Sequence, residues 1–286
     1  MAIHASIMQK NTAIALSIRP ETVRGMRVPY FQVDAFSDRA FGGNPAGVCL
    51  LERWIPDIVL QQVAEENNLS ETAFLVGSGG SWELRWFTPT VEVDLCGHAT
   101  LAAAFVIFTE LGHVGTEVRF QTASGELCTT FEDRVVMMDF PSRPGEPCAA
   151  PAGLISGLGH IPRDVLKSRD FLAVLGSEEE VRTLTPDLQH LATLDCLGII
   201  ATARGSDVDF VSRFFAPRAG IAEDPVTGSA HCTLIPYWAE KLGKQRLLAR
   251  QLSRRGGILR CEMRGDRVGI GGSAALYSRA QIQLPD

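Results

Sequence analysis

Apolar and polar positions alternate regularly from Tyr30 onward. In residues 30–36 (YFQVDAF), apolar and polar residues alternate from 31 to 35, which predicts a half-buried strand. Residues 42–47 (GGNPAG) form a turn cluster. Further strands are predicted at residues 48–51, 72–76 and 82–87, and helices at residues 57–67 and 97–111. The second helix is strongly apolar and ends in Leu-Gly, so it belongs inside a domain.

The second half of the chain repeats the layout of the first. Residues 87–89 (FTP) match residues 215–217 (FAP) at an offset of 128 (215 − 87). Residues 96–99 (CGHA) match residues 227–230 (TGSA) at an offset of 131 (228 − 97), and each match precedes an apolar helix that ends in Leu-Gly. Ordered elements in register indicate a duplication, and hence two similar α/β domains.

The predicted boundaries follow from this repeat. We expect an N-terminal domain over residues 28–142 and a C-terminal domain over residues 147–274, joined by a Pro-, Gly- and Ala-rich linker. The final strand, residues 275–286, is expected to return to the first domain. Residues 1–27 lack clean periodicity and are predicted to be a disordered extension.

Two similar domains create a cleft between them, which is a usual place for a small-molecule site. The repeated Gly-polar-Ala motif places two helix N-termini at corresponding positions, with His98 and Ser229 expected at the caps. Free N–H groups and positive dipole ends favour an anion there. The pattern therefore predicts a small carboxylate substrate.

Composition and charge exclude several classes of protein and of site. The net charge is −6 with no Lys/Arg-rich run, so the electrostatic footprint of a nucleic-acid-binding protein is missing. No apolar stretch reaches the length of a membrane span. The 7 cysteines include no C-x-x-C pair and the 6 histidines lack metal-ligand spacing, so no metal site is predicted. This composition suits a cytoplasmic protein.

Several residues are candidates for chemistry, each with a plainer alternative. Glu71 lies at a strand start among apolar neighbours, where partial desolvation would raise its pKa, or it is an exposed strand-end glutamate. His98 is a proton relay or a helix-cap residue. Asp224 and Ser229 belong to a dense polar run before a helix, although capping explains either one singly. Cys96 precedes a helix start and is a reactive or a packed thiol.

At this point the motifs resemble those of the PhzF (phenazine-biosynthesis) family. They occur in family order over nearly all of the chain from Tyr30 onward. They are residues 33–36 (VDAF), 43–48 (GNPAGV), 68–74 (NLSETAF), 87–89 (FTP), 96–100 (CGHAT) and 223–230 (EDPVTGSA).

The resemblance implies the diaminopimelate-epimerase-like fold, α/β in class, with two similar domains that are each a curled, mainly antiparallel sheet around a central helix. It implies a homodimer with no metal or organic cofactor, and an isomerase in which a glutamate transfers a proton. The family's catalytic glutamate matches Glu71, and its supporting residues match His98, Asp224 and Ser229. The residues expected to bind substrate are Asn44, Gly97, Ala99, Gly228 and Ala230.

Two alternatives stay open at this stage. The related epimerases use two cysteines as opposed acid and base, and here Cys96 matches the first position while Thr227 occupies the second. A cysteine-dependent epimerase or racemase would therefore need another second base. A non-catalytic protein that binds a small acid is the other alternative, although it would not need the proton carrier Glu71.

Overall fold

Each half of the chain forms a curled sheet around one apolar helix. The computed structural model describes residues 25–284, so nearly all of the predicted extension at residues 1–27 lies outside the described residues. The strands are β1 (Arg27–Ala35), β2 (Asn44–Leu51), β3 (Glu71–Ser78), β4 (Ser81–Phe87), β5 (Glu92–Val93), β6 (Glu117–Thr122), β7 (Gly125–Glu132), β8 (Val135–Pro141), β9 (Glu146–Pro147), β10 (Asp164–Lys167), β11 (Phe171–Val174), β12 (Ile199–Arg204), β13 (Phe210–Ala216), β14 (Ile221–Asp224), β15 (Arg246–Gln251), β16 (Gly257–Arg264), β17 (Arg267–Gly272) and β18 (Ala274–Gln283). The helices are α1 (Asp57–Asn67), α2 (Gly97–Thr109), α3 (Ala152–Leu158), α4 (Glu178–Thr183), α5 (Leu188–Ala192) and α6 (Gly228–Leu242).

The strand order shows the repeat predicted from the sequence. The N-terminal half runs β18–β1–β2–β3–β4–β6–β7–β8, and the C-terminal half runs β17–β16–β15–β13–β12–β11–β10–β9. Most pairs are antiparallel, with β2–β3, β4–β6, β11–β12 and β13–β15 parallel. Strands β8 and β17 pair with each other and join the halves. The expected curled, mainly antiparallel architecture is therefore confirmed, while the division at residues 142 and 147 stays a prediction.

The two central helices are buried because their sequences are apolar. In α2, side chains from His98 to Phe108 are buried almost without interruption, and the helix lies against β1, β2, β3 and β8. Helix α6 packs in the same way against β15, β16 and β17. Cores from both halves merge into one cluster around these helices. Within residues 25–284, no helix is long and apolar enough to cross a membrane.

The predicted turn at residues 42–47 is shorter in the structure, because strand β2 already begins at Asn44. Gly43 makes the turn with a φ of +61°, and a Cβ there would lie 2.0 Å from the Ala35 carbonyl oxygen. Only glycine fits this position. The turn therefore delivers Asn44, fully buried, to the first position of β2.

An arginine from the C-terminal half clamps this turn. Arg255 donates from Nη2 to Asp34 Oδ1 (2.6 Å) and the Gly42 carbonyl (2.8 Å), and from Nε to the Gly43 carbonyl (2.8 Å). Asp34 is only 2% exposed and also accepts from the Phe41 N–H at 2.8 Å. A buried carboxylate needs such donors, so the clamp fixes the turn against the other half of the chain.

Removal of the clamp should destabilise the protein. We expect Arg255→Met to lower the free energy of unfolding by about 2–3 kcal/mol, because it leaves the buried Asp34 carboxylate without its charged donor. Urea unfolding measures the loss. The exposed neighbour Arg254 gives the control, and Arg254→Met should change stability by less than about 0.5 kcal/mol. Equal stability of the two variants would show that the ion pair contributes nothing.

Candidate active site

A cavity of about 700 Å³ opens where helices α2 and α6 meet, N-terminus to N-terminus. Their first residues, Gly97 and Gly228, both line it, and a Cβ built on either would lie 3.6 Å from the Cα of the other. The volume is in the usual range for a small-molecule site. Two positive helix ends at one cavity favour an anionic ligand.

Glu71 reaches the cavity because of how α1 ends. Asn68 adopts the left-handed conformation (φ 47°), and its N–H bonds to the carbonyls of Ala64 and Glu65. Asparagine tolerates this conformation, so the helix stops and the chain turns into β3. Strand β3 begins at Glu71, whose side chain is 17% exposed at the cavity wall. The exposed strand-end alternative does not match this partial burial.

His98 lies between Glu71 and Cys96. The imidazole is buried at the second position of α2, with Nε2 3.0 Å from Glu71 Oε2 and Nδ1 3.5 Å from Cys96 Sγ. Neither Glu71 Oε2 nor His98 Nε2 has a well-aligned hydrogen bond among the described residues, so their contact is an off-axis ion pair. Both atoms are buried, so the two groups face each other rather than solvent.

Glu71 and His98 each shift the pKa of the other. Burial raises the pKa of Glu71, but the positive charge of His98, together with hydrogen bonding from His98 and Cys96, outweighs burial and leaves the pKa below its ordinary value. Burial lowers the pKa of His98, but Cys96 and Glu71 outweigh it and hold that pKa well above the ordinary histidine value. The direction for Glu71 is opposite to the one expected from its apolar sequence neighbours, because His98 is close in space.

Asn44 connects both halves of the site. Its Nδ2 donates to Asp224 Oδ1 at 2.8 Å and to the Val226 carbonyl at 3.0 Å, both in the C-terminal half. The same nitrogen lies 3.3 Å from His98 Nδ1, and its two hydrogens are already used by the shorter bonds. Ser70, next to Glu71, donates to Asn44 Oδ1 at 3.4 Å. Asn44 is therefore a structural tie behind the cavity.

Asp224 lines the cavity at the end of β14 and is fixed by its neighbours. Thr227 donates its hydroxyl to Asp224 Oδ2 at 2.5 Å, and Gln251 donates to the Asp224 carbonyl at 2.7 Å. Gln251 also accepts from the Thr227 N–H at 2.9 Å. Burial raises the pKa of Asp224 to about 6, although the charge of His98 opposes that rise. This carboxyl can therefore exchange a proton near neutral pH.

The other predicted residues fall in different places. Ser229 lines the cavity, whereas Ala99 and Ala230 are buried in the core and do not line it. The helix N-caps are Cys96 and Thr227, and neither makes a side-chain capping bond. His98 and Ser229, which were expected at the caps, occupy the second helical positions, because each helix begins at its glycine.

Three side chains at the cavity offer ligand atoms suited to a metal ion. Glu71, Cys96 and His98 place such atoms within 4.8 Å of one another. The imidazole uses Nδ1 toward the sulfur and Nε2 toward the carboxylate, so one ion could engage only one of these two contacts as they stand.

The sequence does not reveal residues that contact the site but lie far from its motifs in the chain. Gln251 lies in an ordinary strand, and nothing local marks it as a partner of Asp224. Arg143 and Arg169 both line the cavity. Arg143 lies in the segment whose Pro- and Gly-rich composition predicts a linker, and no local pattern indicates that it lines a cavity.

Comparison with known proteins decides the family. The family model described as phenazine biosynthesis-like protein (PhzC-PhzF) matches residues 33–280. The chain belongs to this PhzF family. It is 53% identical over 259 residues to an uncharacterized isomerase of Pseudomonas aeruginosa, a match that covers 91% of this chain and 100% of the relative. A second uncharacterized isomerase of that organism is 51% identical over 260 residues, with 91% and 100% coverage.

Solved structures agree with this membership. The crystal structure of a PhzF-family protein from Enterococcus faecalis is 47% identical, has a TM-score of 0.89, and covers 91% of this chain and 100% of its own. A hydroxyproline epimerase from Agrobacterium vitis is 12% identical with a TM-score of 0.59, covers 91% and 93% of the two chains, and shares the fold alone. The family, the epimerase-like fold and the PhzF-like isomerase class predicted from the sequence are confirmed.

The two glycines at the helix starts should tolerate alanine in the fold but not in the site. We expect Gly97→Ala and Gly228→Ala to keep the melting temperature, because the added Cβ makes only ordinary contacts at 3.6 Å and alanine favours helix. The methyl groups would occupy the space between the helix ends, where the anion is expected to bind. Titration with benzoate should therefore show that each variant binds it about tenfold more weakly than the wild type, or worse. Gly80→Ala, outside the cavity, is the control and should leave benzoate affinity unchanged. Unchanged benzoate affinity in both cavity variants would show that the anion does not bind between the helix ends.

The ionisation of His98 should depend on Glu71. We expect NMR titration of the imidazole to give a pKa above the ordinary histidine value, and Glu71→Gln to lower it by about one pH unit or more, because the variant removes a negative charge at 3.0 Å. Glu66→Gln, on the exposed face of α1, should leave it unchanged. An identical His98 pKa in the two variants would contradict the ion pair.

Proposed function

We propose that this protein is a cofactor-independent isomerase that moves a proton within a small carboxylate substrate, with Glu71 as its acid/base. The observation that carries this proposal is the Glu71–His98 pair, 3.0 Å apart, at a cavity bounded by two helix N-termini. His98 keeps Glu71 ionised in the free protein, so the carboxylate is ready to accept a proton.

The proposed reaction needs one proton carrier. Ionised Glu71 removes a proton from carbon, and the electrons of the broken C–H bond move into the adjacent unsaturated acid. The N–H groups at Gly97–His98 and Gly228–Ser229 stabilise the enolate-like charge. Neutral Glu71 then returns the proton to another carbon of the substrate, which leaves the double bond displaced and the carboxylate ionised again. Asp224 orients the substrate's polar group.

The geometry gives little support to a two-base epimerase. Thr227 occupies the second base position, and its hydroxyl is engaged with Asp224 at 2.5 Å. Burial and the charge of Glu71 raise the pKa of the Cys96 thiol, which disfavours the thiolate that such chemistry needs. A non-catalytic binding role leaves the Glu71–His98 pair without a purpose.

The family resemblance adds two further parts to the proposal. We infer a homodimer that works in the cytoplasm on a small carboxylate, without nucleic acid or a membrane as partner. Light scattering coupled to size-exclusion chromatography measures the mass in solution against the 31.0 kDa of one chain.

Loss of the Glu71 carboxylate should stop turnover. A thermal-shift screen of small unsaturated carboxylates, followed by NMR in heavy water, identifies compounds that exchange or shift a proton. We expect Glu71→Gln to slow that reaction by about 10²- to 10⁴-fold, because the amide cannot accept the proton. Glu66→Gln changes the net charge by the same amount and should keep the wild-type rate. The loss in Glu71→Gln then cannot be due to the change in net charge. Turnover by a folded Glu71→Gln protein at the wild-type rate would refute the assignment.

A further inference from the structure

Two arginines at the cavity wall have no part in the proton transfer proposed above. Arg143 follows β8 and Arg169 lies in the turn between β10 and β11, and both line the same cavity as Glu71. Charged side chains at a binding cavity cost desolvation unless a partner compensates them. Their placement therefore calls for a reason beyond packing.

The position of Arg143 is set by a proline in helix α6. Pro236 has no N–H, so the Cys232 carbonyl four residues earlier lacks its helical donor. The Arg143 N–H donates to that carbonyl at 2.9 Å and takes the missing place. The backbone of Arg143 is thus fastened to α6, one turn beyond Ser229.

The turn that carries Arg169 is also fastened to helix α6. Ser168 contacts Thr233 of α6 through their hydroxyls at 3.3 Å, which holds the turn in place. The Arg169 Nη2 donates to Ser229 Oγ at 3.1 Å and pairs with Asp170 at 3.0 Å. Arg169 therefore contacts directly a residue at the N-terminal end of α6.

The two positive charges converge on one face of α6. Cys232 lies three residues after Ser229 and four after Gly228, and all three line the cavity at the N-terminal end of α6. Burial raises the pKa of Cys232 to about 11, and the charges of Arg143 and Arg169 both oppose that rise. Arg143, Arg169 and Cys232 line the same cavity.

The two arginines differ in whether a neighbouring carboxylate forms an ion pair with them. Asp170 compensates Arg169 in part, since it is nearly fully buried and forms an ion pair with it. Among the described residues, no carboxylate pairs with the side chain of Arg143. Glu71, Asp94 and Asp224 also line the cavity, but within residues 25–284 none of them forms an ion pair with the half-buried Arg143. The second guanidinium, that of Arg169, already donates to Ser229.

We propose that Arg143 and Arg169 bind a second anionic group of the substrate, a carboxylate or a phosphate, while the first carboxylate lies at the N-termini of α2 and α6. This inference rests on the proposed function for the position of the first carboxylate. Guanidinium groups match both oxyanions through paired N–H donors. The substrate class is therefore a small unsaturated acid with two anionic groups, and Arg143 and Arg169 determine specificity without taking part in proton transfer.

Calorimetric titration tests the second anionic group without turnover. Benzoate serves as the monoanionic probe, and phthalate, isophthalate and terephthalate add a second carboxylate at three spacings. We expect at least one of these to bind the wild type about 10- to 100-fold more tightly than benzoate, the range for a charged hydrogen-bonded contact. Arg143→Gln and Arg169→Gln should each remove most of that advantage and leave benzoate affinity within about threefold.

Matched controls and a second set of probes complete the experiment. Arg246, 86% exposed and outside the cavity, gives the control variant Arg246→Gln, which should keep the full advantage of the dicarboxylate. The corresponding phosphonobenzoates distinguish the two sources, because tighter binding than the dicarboxylates identifies a phosphate group and weaker binding a carboxylate. The proposal is overturned if no dianion binds more tightly than benzoate, or if the advantage survives in both arginine variants. Failure of Glu71→Gln to slow proton transfer would instead refute the proposed function and leave this ratio unaffected.

Discussion

The structure depends on bringing together two helix ends of the same sign. Helices α2 and α6 meet N-terminus to N-terminus through Gly97 and Gly228, so their positive dipole ends repel each other. This arrangement costs stability and is maintained by contacts elsewhere. It also creates a site where an anion restores the electrostatic balance, which links the fold to its ligand.

The contacts that hold the halves together surround this meeting point. The β8–β17 ladder joins the sheets, Arg255 clamps the turn before Asn44, and Asn44 donates across to Asp224. Each uses backbone carbonyls or buried carboxylates that need donors, so breaking one exposes an unsatisfied group. The two helix ends are therefore held in a fixed relation before any ligand arrives, which is what an anion site of this kind requires.

The protonation of the acids at the cavity wall also depends on which groups the fold brings close together. Glu71 and Asp224 are both acids at the wall, yet their pKa values move in opposite directions. His98 is 3.0 Å from Glu71 and lowers the pKa of that carboxyl, whereas burial dominates at Asp224 and raises its pKa to about 6. Two acids with separated pKa values can hold different protonation states at one pH, as proton transfer demands.

The sequence by itself predicted the main elements of the first half and the repeat, and its resemblance to the PhzF family supplied the site candidates. Helix α1 has the predicted bounds, 57–67, and α2 begins at the predicted Gly97, because periodicity and apolar runs are local signals. Tertiary structure decided which groups those residues contact. It set the direction of the Glu71 pKa, made Asn44 part of a strand and a tie between the halves, and placed Arg143 at the cavity through a carbonyl freed by Pro236. These outcomes depend on groups far apart in the chain, whose distances in space no local pattern records.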